Sequence, residues 1–141
     1  MMRDLATKIV PINVFGPVVL AADNTPAAID LAGFNSAVIL LSIGIGGITF
    51  DATNKVEFKV THSDDNSTYT DVADADMQGV TGITSGIIKS LVAAHAAAAT
   101  YEYGYVGNKR YLKILADFSG THGTGTPLAV KVIKGNGVYK P

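Results

Sequence analysis

The stretch "VEFKVTHSDDNSTYTDV", residues 56–72, decides between two classes of fold and function. Val56, Phe58 and Val60 alternate with polar side chains, which is the period of a half-buried strand. The next six residues, "SDDNST", are typical of a turn, and "YTDV" then returns to extended character. We therefore predict a β-hairpin whose loop carboxylates are simply solvated.

The same stretch holds four side chains that could instead form a metal or acid–base site, namely His62, Asp64, Asp65 and Asp71. A weak calcium site is the main alternative, because carboxylate and carbonyl oxygens are the ligands that calcium prefers. The glycine and the closing glutamate of an EF-hand loop are missing. We expect no metal and no cofactor.

Three further stretches read as strands. In "RYLKILADF" (110–118) and "PLAVKVIK" (127–134) the apolar residues alternate, which predicts one core face and one wet face. By contrast "SAVILLSIGIGG" (36–47) is apolar almost throughout, so it is either a central strand covered on both faces or an interface strand. Within it we predict that Val38, Ile39, Leu40 and Leu41 are core or interface residues.

A tyrosine stripe occupies the stretch "YEYGYVG", residues 101–107. In a strand, Tyr101, Tyr103 and Tyr105 fall on one face, as core or as a contact surface. We predict that these tyrosines are contact residues.

Only two stretches of the sequence have helical character, and both are short. "DADMQGV" (74–80) predicts one turn with Asp74 as its N-cap and Gly79 at its end, and the alanine-rich "LVAAHAAAAT" (91–100) predicts a short helical turn or an ordered loop. Seven or eight short strands without a strand–helix–strand rhythm predict an all-β protein. The expected architecture is an antiparallel β-sandwich, jelly-roll-like, with at most one or two short helical turns.

We divide the chain into an N-terminal arm or edge strand at residues 1–24, a β-sandwich domain at 25–135 and a C-terminal tail at 136–141. The first residues loosely imitate a secretion signal, but Lys8, Pro11, Asn13 and Pro17 interrupt the apolar segment. An arm or strand is the better interpretation.

Composition and charge argue against several classes of function. The formal net charge is −1 and the basic residues are scattered, so the footprint of a nucleic-acid-binding protein is missing. The chain has no cysteine, which removes disulfides and thiolate chemistry, and it has no apolar run of membrane-spanning length. We expect neither a nucleic-acid nor a membrane partner.

The sequence matches no common catalytic motif. In "SGTHGTGTP" (119–127), Thr126 and Pro127 stand where a phosphate-binding loop needs lysine and serine or threonine. His62, His95 and His122 are far apart in sequence, and no Gly-x-Ser-x-Gly turn exists. We predict that the chain is not an enzyme and has no catalytic residues; a small hydrolase is the weakest alternative.

The order of segments resembles small virion proteins of tailed bacteriophages and gene transfer agents. The likeness covers residues 29–135 and rests on the 56–72 hairpin, followed by "YEYGYVGNKRYLKILADFSGTHGTGTPLAVKVIKG" at 101–135. It comprises an aromatic strand, a "GNKRYLK" strand, a glycine–threonine loop and a last strand ending in Lys-Gly. The N-terminal 24 residues match least well.

The resemblance implies a β-sandwich built into the viral head as a capsid decoration (cement) protein or a head-spike base. It implies contacts with the major capsid protein and with further copies of the chain as a homo-oligomer. It also implies a place on the capsid surface of virions assembled in the bacterial host cytoplasm. The alternative is a jelly-roll module that recognises host-surface carbohydrate, with the tyrosines stacking on sugar rings and the hairpin aspartates binding hydroxyls or calcium.

Overall fold

Alternation of apolar and polar side chains organises the chain into two antiparallel sheets. The computed structural model describes residues 1–137, in which ten strands and two short 3-10 turns are found. The strands are β1 (Ile9–Leu20), β2 (Ile29–Asp30), β3 (Phe34–Ile43), β4 (Lys55–Ser63), β5 (Thr70–Asp71), β6 (Met77–Gln78), β7 (Ile87–Leu91), β8 (Ala99–Tyr105), β9 (Tyr111–Ser119) and β10 (Thr126–Gly137). The all-β prediction is confirmed.

Two sheets form the sandwich. The first sheet has the order β1-β10-β3-β8-β6, and the second has the order β2-β9-β4-β5, with β7 also pairing with β4. Every recorded strand pair is antiparallel. The predicted hairpin at residues 56–72 is confirmed, because Thr61 and His62 of β4 face Asp71 and Thr70 of β5.

The pairing is nested, as if one long hairpin had been rolled up. β1 pairs with β10, β2 with β9, β3 with β8 and β4 with β7. β10 then also pairs with β3, and β9 with β4, which gathers these pairs into two sheets. This double-sheet arrangement is that of a jelly roll, and it collects the loops at two opposite ends of the sandwich.

The core lies between the sheets. It is formed by the alternate residues of the long strands, and the apolar side chains with no exposed area are Ile39, Leu41, Val56, Phe58, Val60, Leu112, Ile114, Ala116 and Val132. Their spacing of two is the same alternation that the sequence shows.

The N-terminal segment contains the first edge strand. β1 pairs with β10 over most of its length, with two irregularities between Asn13 and Val18. At one of them Gly16 has φ +80°, and a Cβ there would lie 2.3 Å from the carbonyl oxygen of Leu128, so only glycine fits. At the other terminus β10 continues through Gly137, so residues 136–137 of the predicted tail lie in a strand; residues 138–141 lie outside the described part.

Where the sequence predicted short helical turns, the structure has 3-10 turns or a loop. Asp74–Asp76 form a 3-10 turn that β6 follows at once, and Ala6–Lys8 form another before β1. Of the alanine-rich stretch, residues 92–98 form a loop between β7 and β8, and its two ends lie in those strands. No helix in residues 1–137 is long and apolar enough to cross a membrane.

Candidate interaction surface

The outer face of the second sheet is a charged, water-facing surface. Lys55, Glu57 and Lys59 project from β4, while Lys113 and Asp117 project from β9. Lys59 Nζ lies 2.7 Å from Asp117 Oδ2, and Lys55 Nζ lies 2.9 Å from Glu57 Oε1. This is the wet face expected of an antiparallel sheet in a sandwich.

The outer face of the first sheet has a different composition. It is built from the residues that alternate with the core positions of β3, β8 and β10, together with part of β1. We call it the low-charge face, and it comprises Pro11, Asn13, Ser36, Val38, Leu40, Ser42, Thr100, Glu102, Gly104, Pro127, Ala129, Lys131 and Ile133.

Apolar residues hold the middle of the low-charge face. Val38 of β3 faces Ile133 of β10 on one side and Gly104 of β8 on the other. Val38, Leu40 and Ile133 are half-buried by their neighbours alone. No strand or helix within residues 1–137 forms a layer over this outer face.

Two charges lie on the low-charge face, in one row across it. Lys131 faces Leu40, and Leu40 faces Glu102. Lys131 Nζ donates a hydrogen bond to Asn13 Oδ1 at 3.2 Å. Within the part of the chain that the structure describes, neither Lys131 nor Glu102 joins an ion pair.

A shallow groove of about 600 Å³ runs over one end of the low-charge face. Pro17, Val18, Ala99, Pro127 and Ala129 are among its lining residues. Val18 and the neighbouring Val19 are 40% and 57% exposed, so the apolar character of the face continues to the edge of the sheet. The groove is therefore an extension of this face.

The opposite end of the sandwich has a second cavity, of about 510 Å³, whose lining includes charged residues that are already paired. Arg110 donates two hydrogen bonds to the Asp30 carboxylate at 2.9 and 2.8 Å, and Lys109 Nζ lies 2.6 Å from Asp64 Oδ2. The Arg110 hydrogen bond is the main reason that the pKa of Asp30 falls to about 2. These pairs hold β2 and the hairpin loop against the loop before β9.

The predicted site residues divide between core and surface. Ile39 and Leu41 lie in the core with no exposed area, whereas Val38 and Leu40 lie on the low-charge face. Val38 and Leu40 therefore stay as predicted contact residues.

The tyrosine stripe needs a correction. Tyr103 and Tyr105 are only 8% and 4% exposed, because the stripe faces the other sheet rather than solvent. Tyr101 is half-buried, with Lys89 Nζ 4.1 Å from its ring centroid and His95 Nε2 hydrogen-bonded to its hydroxyl. These rings are core residues, not a contact surface or a platform for stacking on sugars.

Asp65 and His62 of the hairpin make hydrogen bonds that stabilise the fold. Asp65 Oδ1 accepts hydrogen bonds from the backbone N–H groups of Ser67 and Thr68 and from the Ser63 hydroxyl, and these bonds lower the pKa of Asp65 to about 2. His62 Nδ1 lies 2.9 Å from the Tyr105 hydroxyl. No group of three or more histidine and acidic side chains within residues 1–137 is arranged to hold a metal ion.

The β1 edge of the first sheet and the β9 edge of the second sheet are both protected against pairing with a further strand. β1 carries Pro11 and Pro17, which lack the N–H group that a further strand would need. Asn24 exchanges hydrogen bonds with the backbone of β9, donating to the Ile114 carbonyl at 3.2 Å and accepting from the Ala116 N–H at 2.7 Å. The geometry thus favours contacts through a sheet face over strand addition at these edges.

Sequence reasoning missed the β8 and β10 parts of the low-charge face. The signal was present in "PLAVKVIK", where Pro127, Ala129 and Ile133 occupy three of the four outward positions and Lys131 occupies the fourth. A strand with an ordinary wet face would carry more polar residues there.

Comparison with known proteins gives two solved structures of similar extent. The SPBc2 prophage-derived protein YomS matches with a TM-score of 0.49 and 10% identity, over 95% of this chain and 98% of that chain. A chain from Bacillus endospore appendages, described as a novel family of disulfide-linked pili, matches with a TM-score of 0.35 and 16% identity, over 96% of each chain. No protein-family model and no curated protein matches the chain.

Proposed function

We propose that the chain is a non-enzymatic structural protein of a bacteriophage virion, which decorates or stabilises the capsid. In this role it contacts the major capsid protein and its own copies, on the capsid surface of particles assembled in the bacterial host cytoplasm. No cofactor, nucleic acid or membrane is a partner. The low-charge face is the observation that carries the proposal.

The contrast between the two outer faces supports a protein partner. Five charged side chains project from β4 and β9 on the second sheet, whereas Lys131 and Glu102 are the charges on the low-charge face. Depletion of charge is the compositional mark of the centre of a protein–protein interface. The low-charge face thus has the chemistry of a surface that a neighbouring protein covers.

The half-buried residues supply the energy for such a contact. Full burial of a valine, leucine or isoleucine side chain is worth about 1.5–3 kcal/mol relative to exposure, so completing the burial of Val38, Leu40 and Ile133 gains about 1 kcal/mol each. Because β3 is a central strand of its sheet, this apolar patch lies in the middle of the face.

The resemblance of residues 29–135 to small virion proteins supports the phage assignment. Its hairpin is the β4–β5 pair, its aromatic strand is β8, and its final Lys-Gly falls in β10. These motifs are structural rather than chemical, which supports a structural role.

The test compares two leucines at equivalent places on opposite faces. Leu40 lies on the outer face of β3 and Leu115 on the outer face of β9, and both are half-buried. Binding of purified chain to shells assembled from the major capsid protein of the same phage is measured by co-sedimentation. Leu40→Asp places a carboxylate in the proposed interface, which costs about 2 kcal/mol and weakens binding about 30-fold.

Leu115→Asp is the matched control and leaves shell binding unchanged. Circular dichroism of both variants checks that the sandwich is intact. If folded Leu40→Asp bound shells as well as the native chain, or if the native chain did not bind them at all, the proposal would be wrong.

A further inference from the structure

We infer that a second copy of this chain covers the low-charge face, and that a two-fold axis running along β3 relates the two copies. The inference rests on the proposed function, since it names which of the proposed partners occupies this face. The capsid protein is then contacted by other surfaces of the pair, and Leu40→Asp weakens shell binding because separated copies lose the avidity of two linked attachment points.

The row across the centre of the face is self-complementary in charge. Lys131 on β10 and Glu102 on β8 flank Leu40 on β3. Neighbouring strands are about 4.8 Å apart, so the two charges lie at about equal distances on opposite sides of Leu40. Their signs are opposite, and neither is neutralised by an ion pair within residues 1–137.

A two-fold axis along β3 exploits this arrangement. Rotation about such an axis exchanges left and right across the strands, so Lys131 of one copy comes to lie opposite Glu102 of the other. Two-fold symmetry makes the same contact twice, on either side of a Leu40–Leu40 contact. Sheets pack face to face at a separation of about 10 Å, which long side chains from both copies can bridge.

The charges also reject the other simple arrangement. An axis in the interface running across the strands would place Lys131 over Lys131 and Glu102 over Glu102. Like charges in contact are strongly unfavourable, so they select against that orientation.

The size of the face suits a pair of copies. A two-fold axis along β3 sets β10 of one copy opposite β8 of the other, and β1 opposite the short β6. At about 4.8 Å between strands and about 3.4 Å per residue, β10, β3 and β8 alone present about 14 by 34 Å, or about 490 Å² in plane, over the length of β3. A stable interface buries about 800 Å² on each partner, and β1, β6 and side-chain relief raise the planar figure toward that value.

The orientation has a consequence for attachment. An axis along β3 keeps the strands of both copies pointing the same way, so both present the same loop end of the sandwich in one direction. At the end where β3 finishes, this set includes exposed Ile45 and Val92. In this arrangement both copies can contact one shell surface through the same loops.

A charge-reversal cycle tests the inference on the full-length chain, with dimerisation measured by sedimentation equilibrium. The native chain dimerises. Lys131→Glu and Glu102→Lys each place two pairs of like charges in the interface, so each weakens dimerisation by about tenfold or more. The double variant restores both pairs in reverse and returns the dissociation constant to within about threefold of native.

Lys113→Glu, on the outer face of the second sheet, is the control and leaves the dimer unchanged. Both Lys131 and Glu102 are exposed, so the substitutions do not touch the core, and melting curves verify folding. A native chain that stays monomeric, or a double variant no better than the worse single variant, would overturn the inference.

Shell co-sedimentation of the same variants separates the two proposals. A monomeric chain whose Leu40→Asp variant loses shell binding would mean that the face binds the capsid protein, so only the dimer inference would fail. A dimer that obeys the charge cycle but does not bind shells would leave the inference standing and refute the proposed function.

Discussion

At the scale of single residues, polar side chains hold the sheets together where strand pairing stops. β2 covers only Tyr111 and Leu112 of β9, and beyond them the edge of β9 is satisfied by side chains. Asn24 pairs with Ile114 and Ala116, and Asp23 accepts from the N–H of Phe118 at 2.7 Å. The side chains of Asn24 and Asp23 thus satisfy backbone groups of β9 that a neighbouring strand would otherwise satisfy.

Replacing Asn24 tests this role. Asn24→Ala leaves the Ala116 N–H and the Ile114 carbonyl without their partner, and we expect a loss of about 1–3 kcal/mol in the free energy of unfolding. Urea titration measures it. Asn35→Ala is the control, because the Asn35 side chain is exposed on β3 and makes no hydrogen bond within residues 1–137. Equal losses in the two variants would contradict the assignment.

His62 makes stability depend on pH. Burial lowers its pKa below the usual value of about 6.5, and this outweighs the opposing effect of Asp76, whose Oδ2 lies 4.0 Å from Nε2. When the pH falls below about 6.5, the unfolded chain takes up a proton that the folded chain resists, so stability decreases. Above that pH both states are neutral at this residue, and its full contribution is present.

His62→Gln removes this titration while keeping a side chain that can bond the Tyr105 hydroxyl. We expect the native free energy of unfolding to fall more steeply than that of the variant between about pH 6.5 and pH 5, and the two curves to run parallel above about pH 7. Urea titrations across this range provide the comparison. Parallel curves at every pH would show that His62 is not the source.

The tyrosine stripe shows what a residue pattern leaves open. Alternation correctly grouped Tyr101, Tyr103 and Tyr105 on one face of β8. It did not say which face is inward, because Glu102 and Gly104 on the other face form too small and too weakly polar a set to decide. Face assignment depends on which strands flank β8, and that information lies far away in sequence.

At the scale of elements, local patterns predicted the long strands and missed the short ones. β4, β9 and β10 show the period of two over many residues, and the 56–72 hairpin has its own turn signal. β2 and β6 have two residues each, which is too short for any period, whereas the equally short β5 was found through the turn signal before it. The nested pairing was also beyond local signals, since β1 and β10 lie at opposite ends of the chain.

Truncation of the N-terminus separates an arm from a strand. Residues 1–5 precede the first 3-10 turn, and their removal leaves β1 intact, so we expect a melting temperature close to native. Removal of residues 1–24 takes away β1, the core contacts of Val14 and Phe15, and the Asn24 bridge, so we expect aggregation or a large drop in melting temperature. Thermal melting and size-exclusion chromatography distinguish these results. A stable, monodisperse chain lacking residues 1–24 would mean that β1 is a dispensable arm.

At the scale of the whole molecule, the two outer faces of the sandwich differ in composition, and each suits a different environment. The face of β4 and β9 carries ion pairs suited to water, and the face of β3 and β10 carries half-buried apolar residues suited to protein. For β3 the sequence alone indicates this, because the apolar run at 36–47 predicts a buried or interface strand. Only the structure adds the neighbouring rows of β8 and β10 that turn one strand into a surface.

An electron cryomicroscopy map of the assembled virion, detailed enough to trace strands, tests most directly whether the low-charge face is a protein interface. We expect density of a neighbouring chain packed over Leu40 and Val38, with the Lys59 and Asp117 face toward solvent. A map in which Leu40 faces solvent while the β4 and β9 face is covered, or in which the chain is absent from the particle, would contradict it.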